Sequence, residues 1–177
     1  MTSALTLFGL TTLKSTLWNL AAYAAFISII VGVCYERGRN VLITVGAAVL
    51  ALYSGFFLKD PVFAALQTII TASGIMQLCR AGRKVSIVVI SALTIIALTF
   101  LVLDGALQSV AMTVGIGGLL GIAFGIALLP KGNAFVLMTL GGVLLVGYAL
   151  TVGAWVFLWL NIFFALANIR EFFRTPA

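Results

Sequence analysis

Gln67 and Asn161 are the residues of this 177-residue chain best placed to do chemistry. Each lies inside a long apolar run. An amide there has no water to bond and needs a partner from the protein or from a bound molecule. Tyr53 and Tyr148 lie in neighbouring runs at similar depth, roughly 8–10 Å below the same end at 1.5 Å per residue. Two amides and two phenols offer hydrogen-bond donors and acceptors without charge, which suits a neutral, hydroxyl-rich solute. The plainer reading is that the amides join neighbouring helices and the tyrosines belong to an interfacial belt. Thr71 follows Gln67 by one helical turn and shares its face. Trp159 lies deep enough to stack on a solute ring, or alternatively packs against lipid.

The missing residue types narrow the chemistry further. The chain has no His, four Asp+Glu and two Cys. Cys34 and Cys79 fit no metal-ligand spacing, and no hydrolytic centre or nucleophilic triad can be assembled. No metal, cofactor or enzymatic activity is expected. Glu36, Asp60, Asp104 and Glu171 all sit at the ends of apolar runs. Proton and sodium coupling usually need such groups at mid-membrane, so their placement favours facilitated diffusion.

Composition explains why these polar residues stand out. Hydrophobic residues make up 63% of the chain and charged residues 8%, and the mean hydropathy is +1.27. Fourteen charges cannot cover a water-soluble surface of this size. The chain reads as an all-α, multi-pass integral membrane protein whose first partner is the lipid bilayer. This excludes a soluble enzyme, a nucleic-acid binder and a disordered chain. The N-terminus lacks a basic n-region and a clear cleavage site, so no cleaved signal peptide is expected.

Polar turns divide the chain into apolar spans at 17–35, 41–58, 62–79, 85–103, 107–129, 134–152 and 154–170. Each is long enough to cross a hydrocarbon core of about 30 Å. Glu36-Arg37-Gly38-Arg39-Asn40, Lys59-Asp60-Pro61, Arg80-Ala81-Gly82-Arg83-Lys84 and Pro130-Lys131-Gly132-Asn133 are firm breaks. Pro61 suits the first turn of the next helix. Asp104-Gly105 and Thr151-Val152-Gly153 are softer. Residues 1–16 are too short to cross alone and either extend the first helix or lie at the interface. With seven spans, Arg37, Arg39, Arg80, Arg83, Lys84, Lys131, Arg170 and Arg174 share one side, against Lys14 and Lys59 on the other. The positive-inside rule then puts the N-terminus outside and the C-terminus in the cytoplasm, in the cell inner membrane.

Residues 17–80 and 111–174 resemble one another at an offset of 94. Gly38 matches Gly132. Val62, Phe63, Leu66, Ile75 and Arg80 match Val156, Phe157, Leu160, Ile169 and Arg174. Gly46 and Tyr53 match Gly141 and Tyr148 one residue further on, and Gln67 falls opposite Asn161. The expected organisation is an N-terminal segment (1–16), a three-helix repeat (17–80), a linking helix (81–106), a second three-helix repeat (107–174) and a short tail (175–177). An odd number of spans would invert the second copy, and the linking helix restores it. The two repeats therefore run parallel, an arrangement found in transporters with a site at the repeat interface. Ala24, Ser28 and Gly32 in the first helix, and Gly117, Gly121 and Gly125 in the fifth, are small-residue stripes for close packing or for hinge and sliding motions.

This organisation resembles the SWEET sugar transporters, the PQ-loop proteins and the bacterial nicotinamide riboside transporters over residues 17–174. The third helices, DPVFAALQTIITASGIMQLCR and GAWVFLWLNIFFALANIREFF, carry the likeness most specifically. In that superfamily an amide of the third helix commonly faces the central pocket, and Gln67 and Asn161 stand at that place. The resemblance implies a transporter for a small solute, sugar-, nucleoside- or vitamin-like, bound between two triads of helices. The segment NIFFALANIREFF is also similar to small bacterial inner-membrane proteins of unassigned function. Neither first helix has a Pro-Gln pair, and the aromatic and Asn-rich signature of the riboside transporters is largely missing, so the substrate does not carry over. The alternative is a non-transporting accessory or partner-binding membrane protein. The sequence leaves open whether the chain forms a homo-oligomer.

Overall fold

The computed structural model describes residues 13–34, 38–103, 105, 109–128 and 132–174. These form helices α1 (Leu13–Cys34), α2 (Arg39–Leu52), α3 (Pro61–Leu78), α4 (Arg83–Leu103), α5 (Val110–Leu128), α6 (Gly132–Val152) and α7 (Trp155–Arg174), with no strand among the described residues. A short π-helical turn, Tyr53–Leu58, prolongs α2. With that extension, seven helices are long and apolar enough to cross a membrane, the pattern of a multi-pass membrane protein.

The helix ends follow local chemistry. Asp60, in extended backbone, caps α3 by accepting a hydrogen bond from the Phe63 N–H at 2.9 Å, and Pro61 fills the first helical position. The soft break at 151–153 is a true boundary: Gly153 takes φ 69° and the Ala154 N–H closes onto the Ala149 carbonyl at 2.9 Å. The third helix ends similarly at Arg80, with φ 53°, where the Ala81 N–H reaches the Met76 carbonyl. Two helices run further than the apolar runs suggest. The first begins at Leu13, so residues 13–16 extend it, while residues 1–12 lie outside the described set, as do 175–177. The seventh continues to Arg174, where Glu171 and Arg174 lie 3.9 Å apart on the last turn. The cation there complements the helix dipole, so a charge that ends an apolar run need not end a helix.

Packing is most extensive between consecutive helices, α1 with α2, α2 with α3, α5 with α6, and α6 with α7. The contacts of α3 with α5 and of α1 with α7 close these six helices into a ring. The fourth helix rests against α3 and α5 from outside, with Ile90, Thr94 and Leu101 as its buried residues.

Close approach depends on glycine, because dispersion contacts drive helix association where the solvent is itself apolar. A Cβ on Gly46 of α2 would lie 2.7 Å from the Ala25 carbonyl of α1, and one on Gly141 of α6 would lie 2.7 Å from the Gly118 carbonyl and 2.8 Å from the Ile122 nitrogen of α5. The expected stripes take part unevenly. Ser28 donates to the Leu42 carbonyl at 3.0 Å and Gly32 abuts Leu42 and Ile43, but Ala24 is exposed. Gly121 and Gly125 press on α6 backbone, whereas Gly117 meets only a Leu144 methyl group at 3.5 Å.

Gly141→Ala should therefore lower stability by about 1–3 kcal/mol through overpacking against backbone that cannot yield. Gly147, with nothing within 4 Å of the same added atom, should gain about 0.5–1 kcal/mol as Ala from helix propensity. Thermal unfolding of the two detergent-solubilised variants should move in opposite directions.

Candidate functional site

The third and seventh helices bring Gln67 and Asn161 to one small cavity in the middle of the ring. Both are almost fully buried, at 1% and 2% exposure. The cavity holds about 80 Å³ and its remaining wall is apolar, built from residues such as Ile29, Leu66, Ile122 and Phe164. The Asn161 amide nitrogen donates to the Phe157 carbonyl of its own helix at 2.7 Å. Gln67 is different: its Oε1 is buried and has no hydrogen-bond partner.

A larger cavity of about 320 Å³ lies towards the end of the ring that carries Arg39 and Glu171. The two spaces share Ile43, Ile70 and Phe164 in their walls, so they adjoin one another. The larger is a vestibule whose mostly apolar wall carries several polar side chains. Ser73 and Asn168 lie deep in it, buried to 7% and 6%, and the exposed Arg39 and Gln77 stand at its rim.

On the opposite side of the two amides lies a layer of aromatic rings. Phe63 precedes Gln67 by one helical turn, and Phe157 precedes Asn161 by the same interval. Their rings stack at 4.1 Å with only 5° between planes. Tyr148 packs on Phe63 at 5.2 Å, and Tyr53 on Phe157 at 6.1 Å. All four residues are buried. Each phenol is also held: Tyr148 donates to Asp60 Oδ2 at 2.7 Å, and Tyr53 donates to the side-chain Oδ1 of Asn19 in α1. Such ring pairs are worth about 0.5–1.5 kcal/mol each beyond the area they bury.

Asp60 sits just outside the spanning segments of α2 and α3. Burial pushes its carboxyl above the usual carboxylate range, and the Phe63 N–H, the Tyr148 hydroxyl and the Val62 N–H pull it partly back.

Of the six solute-binding residues expected from sequence, Gln67 and Asn161 line the cavity. Tyr53 and Tyr148 lie in the ring layer above it, where their hydroxyls are committed to Asn19 and Asp60. Thr71 is not brought to the cavity: its hydroxyl donates to the Gln67 carbonyl at 2.7 Å along its own helix. Trp159 points away from the cavity too, with 40% of its surface exposed on the outside of the ring. Sequence reasoning passed over Phe63, Phe157, Asp60, Asn19 and Asn168. The first two carried a signal, a ring four residues before each buried amide. Asp60 had been counted among end charges, and nothing in the sequence pairs it with Tyr148, 88 positions away.

Neither a family model, a curated protein nor a solved structure matches this chain.

Tyr148→Phe should destabilise the ring layer by about 1.5–3 kcal/mol, the usual worth of a hydrogen bond to a charged group. The effect should depend on pH. A carboxyl raised on folding binds more protons in the folded than in the unfolded state, so its contribution favours folding in acid and is lost as pH rises through the folded value. Removing the Tyr148 hydroxyl raises that value further. The stability gap between variant and wild type should therefore be wide at pH 7 and narrow towards pH 4, as read by thermal unfolding across that range.

Proposed function

We propose that this chain is a membrane transporter that carries a small neutral polar solute through the cavity between helices α1–α3 and α5–α7. One observation carries the reading: the two buried amides, one from each group of helices, line a single cavity that adjoins a larger vestibule, with stacked rings one helical turn away on the other side. A closed, dry protein centre would instead have joined the amides to each other or to neighbouring helices.

The pairing of positions supports an internal repeat. Phe63 and Phe157, offset by 94 residues, stack on one another. Gly46 and Gly141 each make the closest backbone approach to the preceding helix. Helix contacts run in the same order within α1–α3 and α5–α7. A repeat axis along the membrane normal would pass between the stacked rings, and the cavity would then lie on that axis. On this reading the vestibule belongs to the basic, cytoplasmic side, the aromatic layer seals the outer side, and the described state faces inward. No acid or base lines the central cavity, which favours facilitated diffusion over ion-coupled uptake.

The test is solute counterflow in proteoliposomes against sugars, nucleosides and vitamins. A transported solute should be found, and Gln67→Ala and Asn161→Ala should each abolish its movement while leaving folded protein in the membrane. Normal transport by both variants would overturn the assignment of the site. Independently, a cysteine at Ser73 should react with a small water-soluble maleimide in a background lacking Cys34 and Cys79. An unreactive cysteine would mean that the vestibule is closed to water.

A further inference from the structure

The lining of the cavity specifies more than a neutral solute, on the reading that the cavity is where solute binds. We infer that it takes an uncharged molecule with an apolar body and a single amide-like group, a primary carboxamide or a lactam, and that it rejects polyhydroxylated solutes.

Gln67 Oε1 is the starting point. It is a hydrogen-bond acceptor removed from water, without a partner, on a residue of the cavity wall. An orphaned buried acceptor is destabilising until a donor reaches it. Three neighbouring polar side chains of α3 and α7 already donate within their own helices. Thr71 holds the Gln67 carbonyl, Asn161 the Phe157 carbonyl and Asn168 the Phe164 carbonyl. Gln67 thus carries an unmet acceptor at this level. Another amide answers it most completely, because its N–H donates to Oε1 while its carbonyl accepts from Nε2 of the same side chain.

The rest of the wall limits what may be attached to that group. Apart from Gln67 and Asn161 the lining is Ile, Leu and Phe. A sugar would bring four or five hydroxyls against this wall, and most would lose water without gaining a bond. A carboxylate or ammonium would be excluded more strongly, since nothing in the wall carries a compensating charge. An apolar ring is favoured by the same surface, with Phe164 available for ring contact. Size sets the pose. At about 80 Å³ the cavity is smaller than the roughly 150 Å³ that accommodates a benzene ring. The amide end therefore seats at Gln67, and the body extends past Ile43, Ile70 and Phe164 into the vestibule.

The test compares three probes on the purified wild-type protein: benzamide, its charged counterpart benzoate, and D-glucose. Binding is read by thermal shift and equilibrium dialysis. Benzamide should bind, with benzoate and glucose inactive at the same concentrations. Gln67→Met keeps the length of the side chain but removes the amide. It should weaken benzamide by roughly tenfold or more, the loss expected for one hydrogen bond to a buried group. Without any probe, the same variant should melt higher than wild type, because the orphaned acceptor is gone. Glucose binding that Gln67→Met abolishes would overturn the solute class while upholding the site. Benzoate binding as well as benzamide would overturn the exclusion of charge. If no probe binds although the Ser73 cysteine is labelled, the class is wrong and the open site stands; if that cysteine is also unreactive, the reading of the site fails with it. The probe comparison is made on the wild type and holds whether or not the variant folds.

Discussion

A polar group inside hydrocarbon must find its partner within the protein, and this constraint shapes almost every feature of the chain. It makes the backbone helical throughout the apolar runs, since only there does each amide meet a carbonyl of its own segment. It also explains the side-chain bonds. Ser54, Thr68, Thr71, Thr94, Thr99, Asn161 and Asn168 all turn back onto carbonyls three or four residues earlier in their own helices. Polar residues tied in this way spread through the bundle without forcing helices together. The bonds that do cross between helices are therefore informative. Ser28 to Leu42 joins α1 to α2, Tyr53 to Asn19 joins the π-helical turn to α1, and Tyr148 to Asp60 joins α6 to the start of α3. Against this background, the Gln67 oxygen stands out as a buried acceptor without a hydrogen bond on a residue of the central cavity wall.

The same constraint shows why some of the molecule is legible in the sequence. Apolar length and polar turns mark seven helices to within a few residues, because a span without charges must cross and a cluster of charges must not. Pro61 after Asp60 reads directly as a helix start. The burial of Gln67 and Asn161 follows from their types alone, since an amide in an apolar run avoids lipid. What stays hidden is which face each helix turns inward. The helices are apolar nearly all round, so hydrophobic patterning gives no direction. Trp159 and Thr71 were placed by depth and by spacing, and both turn elsewhere: Trp159 lies on the far side of its helix, and Thr71 finds a closer partner in its own backbone. Tyr53 and Tyr148 have the expected depth, but each has a hydrogen-bond partner set by tertiary contacts between distant segments. Asn19 and Asp60 have no sequence signature that could have announced them.

The ring layer and the vestibule give the two ends of the site different physics, and the reading of the chain as a carrier turns on that difference. At the vestibule end the wall carries polar side chains, among them Ser73, Gln77 and Asn168. At the other end, opening must part the stacked Phe63 and Phe157 and break the bond from Tyr148 to Asp60. Both changes disfavour opening. A third change favours it: Asp60 is buried in the closed layer, its carboxyl raised by loss of water, and opening returns it to solvent. The closed layer therefore contains both the bonds that hold it and a desolvated group that strains against them. On the proposed carrier reading, opposing terms of this kind would let a bound solute shift the population between closed and open forms. A seal made of apolar rings alone would lack the opposing term and would favour the closed state more strongly. Asp60 thus does two things in one position: it fixes the start of the helix that carries Gln67, and it ties that start to α6 by accepting from Tyr148.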